Sequence, residues 1–305
     1  MLLKGCITNI SRASLHDGPG VRTVVYFKGC GLRCKWCHNP ETLSGRPEIL
    51  YANMKCIRCG RCISVCPDCH VVGEAAMVFL RDGCRACGKC VEVCPTGALT
   101  ACGTELSLEA VMAELRKDGH YYTQSGGGIT LSGGECLLQA DFCAELLKRC
   151  KAEHIHTAIE TALFVSWDAV EKTIPFCDLY FADFKIADGE KHRQYTGQNN
   201  YLVYENLKKL VANAPGKVAV RIPLIPGVND EDEDIALFAE KLLPVADDLS
   251  GIEVLRYNTL AESKYTQAGR TYTDFGKTQT DELLTDYSSQ LSEAIAHKTK
   301  VFTVL

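Results

Sequence analysis

Val21-Arg22-Thr23-Val24-Val25-Tyr26-Phe27-Lys28 is β-branched and aromatic, and it runs through Gly29 straight into Cys30-Gly31-Leu32-Arg33-Cys34-Lys35-Trp36-Cys37. The first half reads as a buried strand. The strand therefore delivers three closely spaced thiols at its carboxyl end. Further along, strand patterns at residues 128–132, 156–160, 178–185, 217–224, 252–257 and 301–305 alternate with helical patterns at 139–153, 166–172, 190–194, 201–213, 232–243 and 281–297. Ser107 reads as the N-cap of a helix through Lys117. Repeated βα units predict an α/β fold with a parallel sheet and ligands at the carboxyl ends of its strands. About six units fall short of a closed eight-fold barrel, so a partial (β/α)6 TIM-like barrel is expected, open on one side to a macromolecular substrate.

The chain has 305 residues, 46% hydrophobic and 23% charged, enough for one large domain and a smaller one. Its net charge of −5, without a Lys/Arg block, argues against nucleic acid as a partner. Residues 1–11 lack an apolar run long enough for an export signal, and nowhere do apolar residues continue for a membrane span. No membrane association and a cytoplasmic location are expected. In a reducing compartment, 18 cysteines in clusters point to metal ligands rather than disulfides.

Cys30, Cys34 and Cys37 have the spacing C-x3-C-x2-C. Three thiolates can hold three irons of a 4Fe–4S cube and leave the fourth open to substrate, whereas a fully cysteine-ligated cluster normally carries electrons. Zinc sites also produce such spacing. Cys56, Cys59, Cys62 and Cys66-Pro67, then Cys84, Cys87, Cys90 and Cys94-Pro95, each repeat C-x2-C-x2-C-x3-C-P, the bacterial two-cluster ferredoxin run. There the fourth cysteine of each run serves the other cluster, which gives Cys56, Cys59, Cys62 and Cys94 for one and Cys84, Cys87, Cys90 and Cys66 for the other. Residues 46–102 then form a ferredoxin-like insert binding two 4Fe–4S clusters, and residues 1–45 and 103–305 the barrel. Cys34 to His38 and Cys66 to His70 also read C-x-x-C-H, a haem-attachment pattern, but haem would compete for the same thiols. Cys6, Cys69, Cys102, Cys136, Cys143, Cys150 and Cys177 read as buried small hydrophobes.

Together with these groups, Asp17-Gly18-Pro19-Gly20-Val21-Arg22, Trp36 before the last cysteine, Gly126-Gly127-Gly128-Ile129-Thr130-Leu131-Ser132-Gly133-Gly134-Glu135, Asp183-Phe184-Lys185 and Arg221-Ile222-Pro223 are distributed over essentially the whole chain. In them the sequence resembles the radical S-adenosylmethionine activating enzymes of glycyl radical enzymes, in the larger form with a ferredoxin-like insert. The resemblance implies three 4Fe–4S clusters, one of them binding S-adenosylmethionine, and a flavodoxin or ferredoxin as reductant. It implies reductive cleavage of that cofactor to methionine and a 5′-deoxyadenosyl radical. The radical then takes hydrogen from a backbone glycine in the C-terminal loop of a partner glycyl radical enzyme.

The resemblance also distributes roles. Cys30, Cys34 and Cys37 form the catalytic centre, and His16 and Asp17 position the partner's glycine loop. Trp36, His38, Gly133, Gly134, Glu135, Asp183, Phe184, Lys185, Arg221 and Asn258 contact the cofactor, with Lys185 at its carboxylate. Glu160, Thr161 and Asp183 hold a monovalent cation beside it. Two departures stand out: Cys136 follows Glu135 where the family usually has Pro, and Asn258 stands where pyruvate formate-lyase activases carry His. Arg221, inside an apolar strand, requires a carboxylate partner or the cofactor. Two other functions fit part of the pattern: radical chemistry on a small molecule, and an iron–sulfur electron carrier or sensor.

Overall fold

The structure, a computed structural model, describes residues 3–74 and 77–304. Its strands are β1 (Lys4–Ser14), β2 (Arg22–Phe27), β3 (Glu48–Tyr51), β4 (His70–Val72), β5 (Met77–Phe79), β6 (Leu99–Cys102), β7 (Thr104–Ser107), β8 (Gly128–Gly133), β9 (His156–Thr161), β10 (Leu179–Asp183), β11 (Val218–Leu224), β12 (Gly251–Arg256) and β13 (Val301–Val304). Nine of them form one sheet in the order β13-β12-β11-β10-β9-β8-β2-β1-β7. From β2 to β13 every pairing is parallel. The strand order rises steadily, as in a (β/α) barrel, yet β7 and β13 lie at opposite edges and do not pair. Six crossovers connect seven parallel strands, and the antiparallel hairpin partner β1, with β7 beyond it, completes the sheet.

Period-two alternation decides which side chains meet. Val25 and Phe27 of β2, Ile129 and Leu131 of β8, Tyr180 and Ala182 of β10, Val220 and Ile222 of β11, and Ile252 and Val254 of β12 pack with the helices in one large core. The helix over Ala140–Ala152 contributes Phe142, Cys143, Leu146, Leu147 and Cys150, one apolar stripe at helical spacing. Six of the seven spare cysteines are buried as expected; Cys6, on β1, is half-buried.

Residues between β2 and β7 stand outside the large sheet, with β3 paired to β6 and β4 paired to β5. The two cysteine runs there have the same backbone. Arg58 and Ala86 are left-handed, and left-handed Gly60 and Gly88 then open the short helices Arg61–Val65 and Lys89–Glu92. Polar contacts fasten this segment to the rest. Lys28 Nζ, fully buried, reaches Glu48 at 2.8 Å, and Arg270 reaches Glu48 at 3.1 Å. Arg81 donates to the carbonyl of Gln267 at 2.6 Å. No helix among the described residues is long and apolar enough to cross a membrane.

Candidate functional site

At the carboxyl ends of the parallel strands lies a cavity of about 390 Å³, lined by Cys30, Cys34, Trp36, Cys37 and His38 from the loop after β2. Gly133 and Gly134 enter from β8, Glu160 and Thr161 from β9, Asp183 and Lys185 from the end of β10, Arg221 from β11 and Asp17 from the loop before β2. Thirteen of the residues singled out in the sequence thus meet in one place. A volume of this size falls within the roughly 300–1,000 Å³ of small-molecule sites.

The cysteine loop is held against β8 by backbone contacts that need glycine. Gly134 N–H donates to Phe27 O at 3.0 Å and Glu135 N–H to Gly29 O at 2.7 Å. A Cβ on Gly134 would stand 2.3 Å from Gly29 O, and one on Gly133, whose φ is +122°, 2.2 Å from Phe27 N. The glycine pair therefore closes the exit of β2 onto the exit of β8 and fixes where Cys30 starts.

Around the thiols the wall is charged. Lys185 Nζ lies 2.5 Å from Asp183. Burial works against the Lys185 ammonium, but Asp183 and the Cys34 and Cys30 sulfurs outweigh it and raise its pKa. Burial pushes the Cys30 and Cys34 thiols up to about 11 and 12, and Cys37 also upward. Arg221 donates to Glu160 at 2.5 Å and to Glu253 at 2.6 Å, and its guanidinium lies 3.6 Å from the centre of the Phe181 ring. The carboxylate partner that Arg221 required is thus supplied twice. Trp36 is buried against Tyr195 and Phe275, at 6.4 and 6.0 Å between ring centres.

Three expected cofactor contacts are placed elsewhere. Phe184 follows the alternation to the opposite face from Asp183 and packs edge-to-face with Phe238 in the helix-covered core, 5.6 Å between ring centres. Glu135 turns inward, 1% exposed, and accepts from Thr161 Oγ1 and Ala162 N–H at 2.9 Å and from Leu137 N–H at 3.2 Å. It caps the short 3₁₀ turn Cys136–Gln139 rather than facing the cavity. Asn258 contacts His38 Nδ1 at 3.4 Å, outside the cavity wall. Among the cation candidates, Glu160 is engaged by Arg221 and Ser132, Asp183 by Lys185 and Thr161 by Glu135. Among the described residues, no three His, Cys, Asp or Glu side chains converge on a single-ion site.

The structure adds Tyr26, Ser132, Pro223, Leu255 and Tyr257 to the wall. Alternation finds Tyr26 on the face opposite Val25 and Phe27, Ser132 opposite Leu131, Pro223 two residues after Arg221 and Leu255 two residues after Glu253; nothing local marked Tyr257.

In the segment between β2 and β7, Cys56, Cys59, Cys62 and Cys94 line one small cavity with Tyr51, His70 and Met77. Cys66, Cys84, Cys87 and Cys90 gather separately: burial, then its neighbours Cys84, Cys66 and Cys87, push Cys90 up to about 11. Each thiol group combines three cysteines of one run with the fourth of the other. No described cysteine is in a disulfide.

A mostly parallel sheet carrying three unpaired thiols, a glycine pair and a Lys–Asp wall to one cavity defines a cofactor-dependent α/β enzyme. Residues 24–239 match the family described as the Radical SAM superfamily. The chain is 43% identical over 271 residues to the benzylsuccinate synthase activating enzyme of Thauera aromatica, covering 87% of this chain and 82% of that one. It is 36% identical over 299 residues to the trans-4-hydroxy-L-proline dehydratase activating enzyme of Clostridioides difficile, covering 97% and 98%. Streptococcus suis SuiB bound to precursor peptide SuiA aligns with a TM-score of 0.53 at 14% identity, over 92% of this chain and 47% of that one, a likeness of fold alone. The chain belongs to the radical SAM superfamily and, within it, to the activating enzymes of glycyl radical enzymes.

Proposed function

We propose that this chain installs a radical on a backbone glycine of a partner glycyl radical enzyme, using S-adenosylmethionine and a 4Fe–4S cluster on Cys30, Cys34 and Cys37. The observation that carries the assignment is the sharing of one cavity by these three thiols with Lys185, Asp183 and Arg221. The donor set fits a cluster with one free corner: three unpaired sulfurs, with Leu32 N–H donating to Cys30 Sγ at 3.4 Å. When bound, that cluster supplies one low-potential electron, by which the cofactor is cleaved to methionine and a 5′-deoxyadenosyl radical that takes the glycine hydrogen.

The chain's own residues bind and shield. Lys185, held by Asp183, presents its ammonium to the cofactor carboxylate, while Asp183 and Glu160 offer acceptors to its ammonium. Trp36 and Tyr257 close the apolar side and keep water from the radical. Asp17 lines the cavity in a loop tethered by Thr130 Oγ1 to Asp17 O at 2.7 Å and by Arg221 to His16 O at 3.3 Å. This loop is placed to receive the partner's glycine segment.

Residues 46–102 are assigned as the ferredoxin-like insert, with one auxiliary 4Fe–4S cluster on Cys56, Cys59, Cys62 and Cys94 and the other on Cys84, Cys87, Cys90 and Cys66. Its reductant is a flavodoxin or ferredoxin. Around exposed Cys59 stand Lys55, Arg58 and Arg61, exposed and without a carboxylate partner among the described residues, beside Met54 and Ile57 at 93% and 63% exposure. A cationic rim around an apolar centre suits an acidic electron carrier.

Anaerobically reconstituted protein, mixed with a co-encoded glycyl radical enzyme, S-adenosylmethionine and dithionite, should give an organic radical doublet by electron paramagnetic resonance. Formation of 5′-deoxyadenosine without that doublet, with any such partner, would sink the assignment.

A further inference from the structure

Among the described residues, five buried side-chain polar atoms have no hydrogen-bond partner: Glu41 Oε2, Tyr51 Oη, His70 Nε2, Arg256 Nε and Ser288 Oγ. Two of the five, Tyr51 Oη and His70 Nε2, belong to residues lining the same small cavity, the one walled by Cys56, Cys59, Cys62 and Cys94. Orphaned buried polar atoms are rare because each forfeits its hydration without replacement, and a phenol with an imidazole in its Nε2–H form can both donate. Two at one cavity indicate a ligand that accepts hydrogen bonds there. Sulfur is the only acceptor chemistry the four thiols would bring.

The surroundings aim both groups. Tyr51 ends β3, directly before the first cysteine turn, and lines the cavity together with Cys56, its hydroxyl unpartnered. His70 is 2% exposed and stacked on Phe79, with ring centres 4.9 Å apart, which fixes the plane of its imidazole.

The internal repeat supplies a control. Tyr51 stands five residues before Cys56, and Phe79 stands five residues before Cys84. The two runs share their left-handed turns, and the second carries a phenylalanine at the sequence position where the first carries a tyrosine.

We infer that Tyr51 Oη and His70 Nε2 donate hydrogen bonds to the sulfurs of the cluster on Cys56, Cys59, Cys62 and Cys94, and make it the more readily reduced of the two auxiliary centres. This rests on the reading of the insert as cluster-bearing. A donor to sulfur stabilises the reduced cluster, which carries one more negative charge, over the oxidised one, and so raises its potential. One electron arrives from a low-potential carrier, which is oxidised by one electron; no proton moves. Tyr51 and His70 touch no substrate and act by tuning that acceptor.

The test is a potentiometric titration of the full, anaerobically reconstituted chain followed by electron paramagnetic resonance, with the signal assigned by its loss in Cys59→Ala. Tyr51→Phe, which removes one oxygen atom, should lower that centre's reduction constant about tenfold, about 59 mV for one electron, and leave the other centres in place. His70→Phe should shift it in the same direction, and His70→Gln, which keeps a donor, should restore part of the loss. A proton coupling that exchanges in D2O should vanish from the first centre in Tyr51→Phe. About twelve irons per chain, with the midpoint unmoved in Tyr51→Phe and in His70→Phe, overturns the tuning role alone. About four irons overturns the cluster reading of the insert and the inference with it.

Discussion

Arg221 on β11 and Glu160 on β9 are joined at 2.5 Å across the intervening strand β10, with the Phe181 ring of that strand beneath the guanidinium. Glu253 on β12 takes the other side of Arg221 at 2.6 Å. Three parallel strands and the one they enclose are thereby tied at the level of the cavity floor. Burial pushes the Glu160 carboxyl above its ordinary value, and the charge of Arg221 only partly offsets it.

Arg221→Ala leaves Glu160 and Glu253 as buried carboxylates without a cation. Removing one partner of a buried pair typically costs about 3–5 kcal/mol, and chemical denaturation of the anaerobic protein should show a loss of that order. Arg221→Lys should recover only part, because an ammonium lacks the fork that reaches both acids. A loss below about 1 kcal/mol in Arg221→Ala would show that the pair is solvated.

Glu135 gives a pH signature. Burial raises its carboxyl from 4.5 to about 7, against the pull of Thr161 and the Leu137 and Ala162 N–H groups. Between those values the folded chain keeps a proton the unfolded chain has released, so this group's contribution is full below pH 4.5 and is lost as pH rises through about 7. Glu135→Gln removes the titration. Stability measured against pH should therefore fall less steeply between pH 5 and 7 in the variant than in the parent; parallel curves would refute the assignment.

The parts of this protein that could be read from sequence are those written in local patterns. Ligand spacing at Cys30, Cys34 and Cys37, the doubled run from Cys56 to Cys94, and apolar strands alternating with helices each need only neighbouring residues. β1 (Lys4–Ser14) escaped because it is polar along much of its length and is made a strand by pairing with β2 and β7. Glu253 escaped because a single acid in an apolar strand shows its meaning only opposite Arg221. Phe184 was legible and misplaced: two-residue periodicity already puts it on the other face from Asp183 and Lys185. Glu135 could be placed only once Thr161 and Ala162 were seen to fold over it.

Gly134→Ala tests whether the glycine pair holds the cysteine loop. The added Cβ would stand 2.3 Å from Gly29 O, so the exit of β2 must move before Cys30 can be placed. Overpacking of this kind costs about 1–3 kcal/mol, and a 1 Å displacement at a reacting centre can cost about 100-fold in rate. Formation of 5′-deoxyadenosine with dithionite should fall by at least about tenfold while the iron of the insert is retained. Unchanged turnover would return Gly134 to an ordinary turn.

Electron entry is tested by reversing charge at the first cysteine turn. Lys55 and Arg61 flank Cys59, both exposed and free of carboxylates among the described residues, while Arg85 and Lys89 flank Cys87 in the second turn. The second turn lies next to the barrel contact, since Arg81 precedes Cys84 and bonds Gln267. The first is therefore the turn offered to an acidic carrier. Lys55→Glu with Arg61→Glu should slow oxidation of a reduced acidic flavodoxin about tenfold at low salt, and the salt dependence of the rate should flatten. Turnover with dithionite, a small reductant that needs no docking, should not change. Arg85→Glu with Lys89→Glu should leave the flavodoxin rate within about twofold. An equal loss in both double variants would mean that net charge alone governs the encounter, and no loss in the first would place the carrier elsewhere on the molecule.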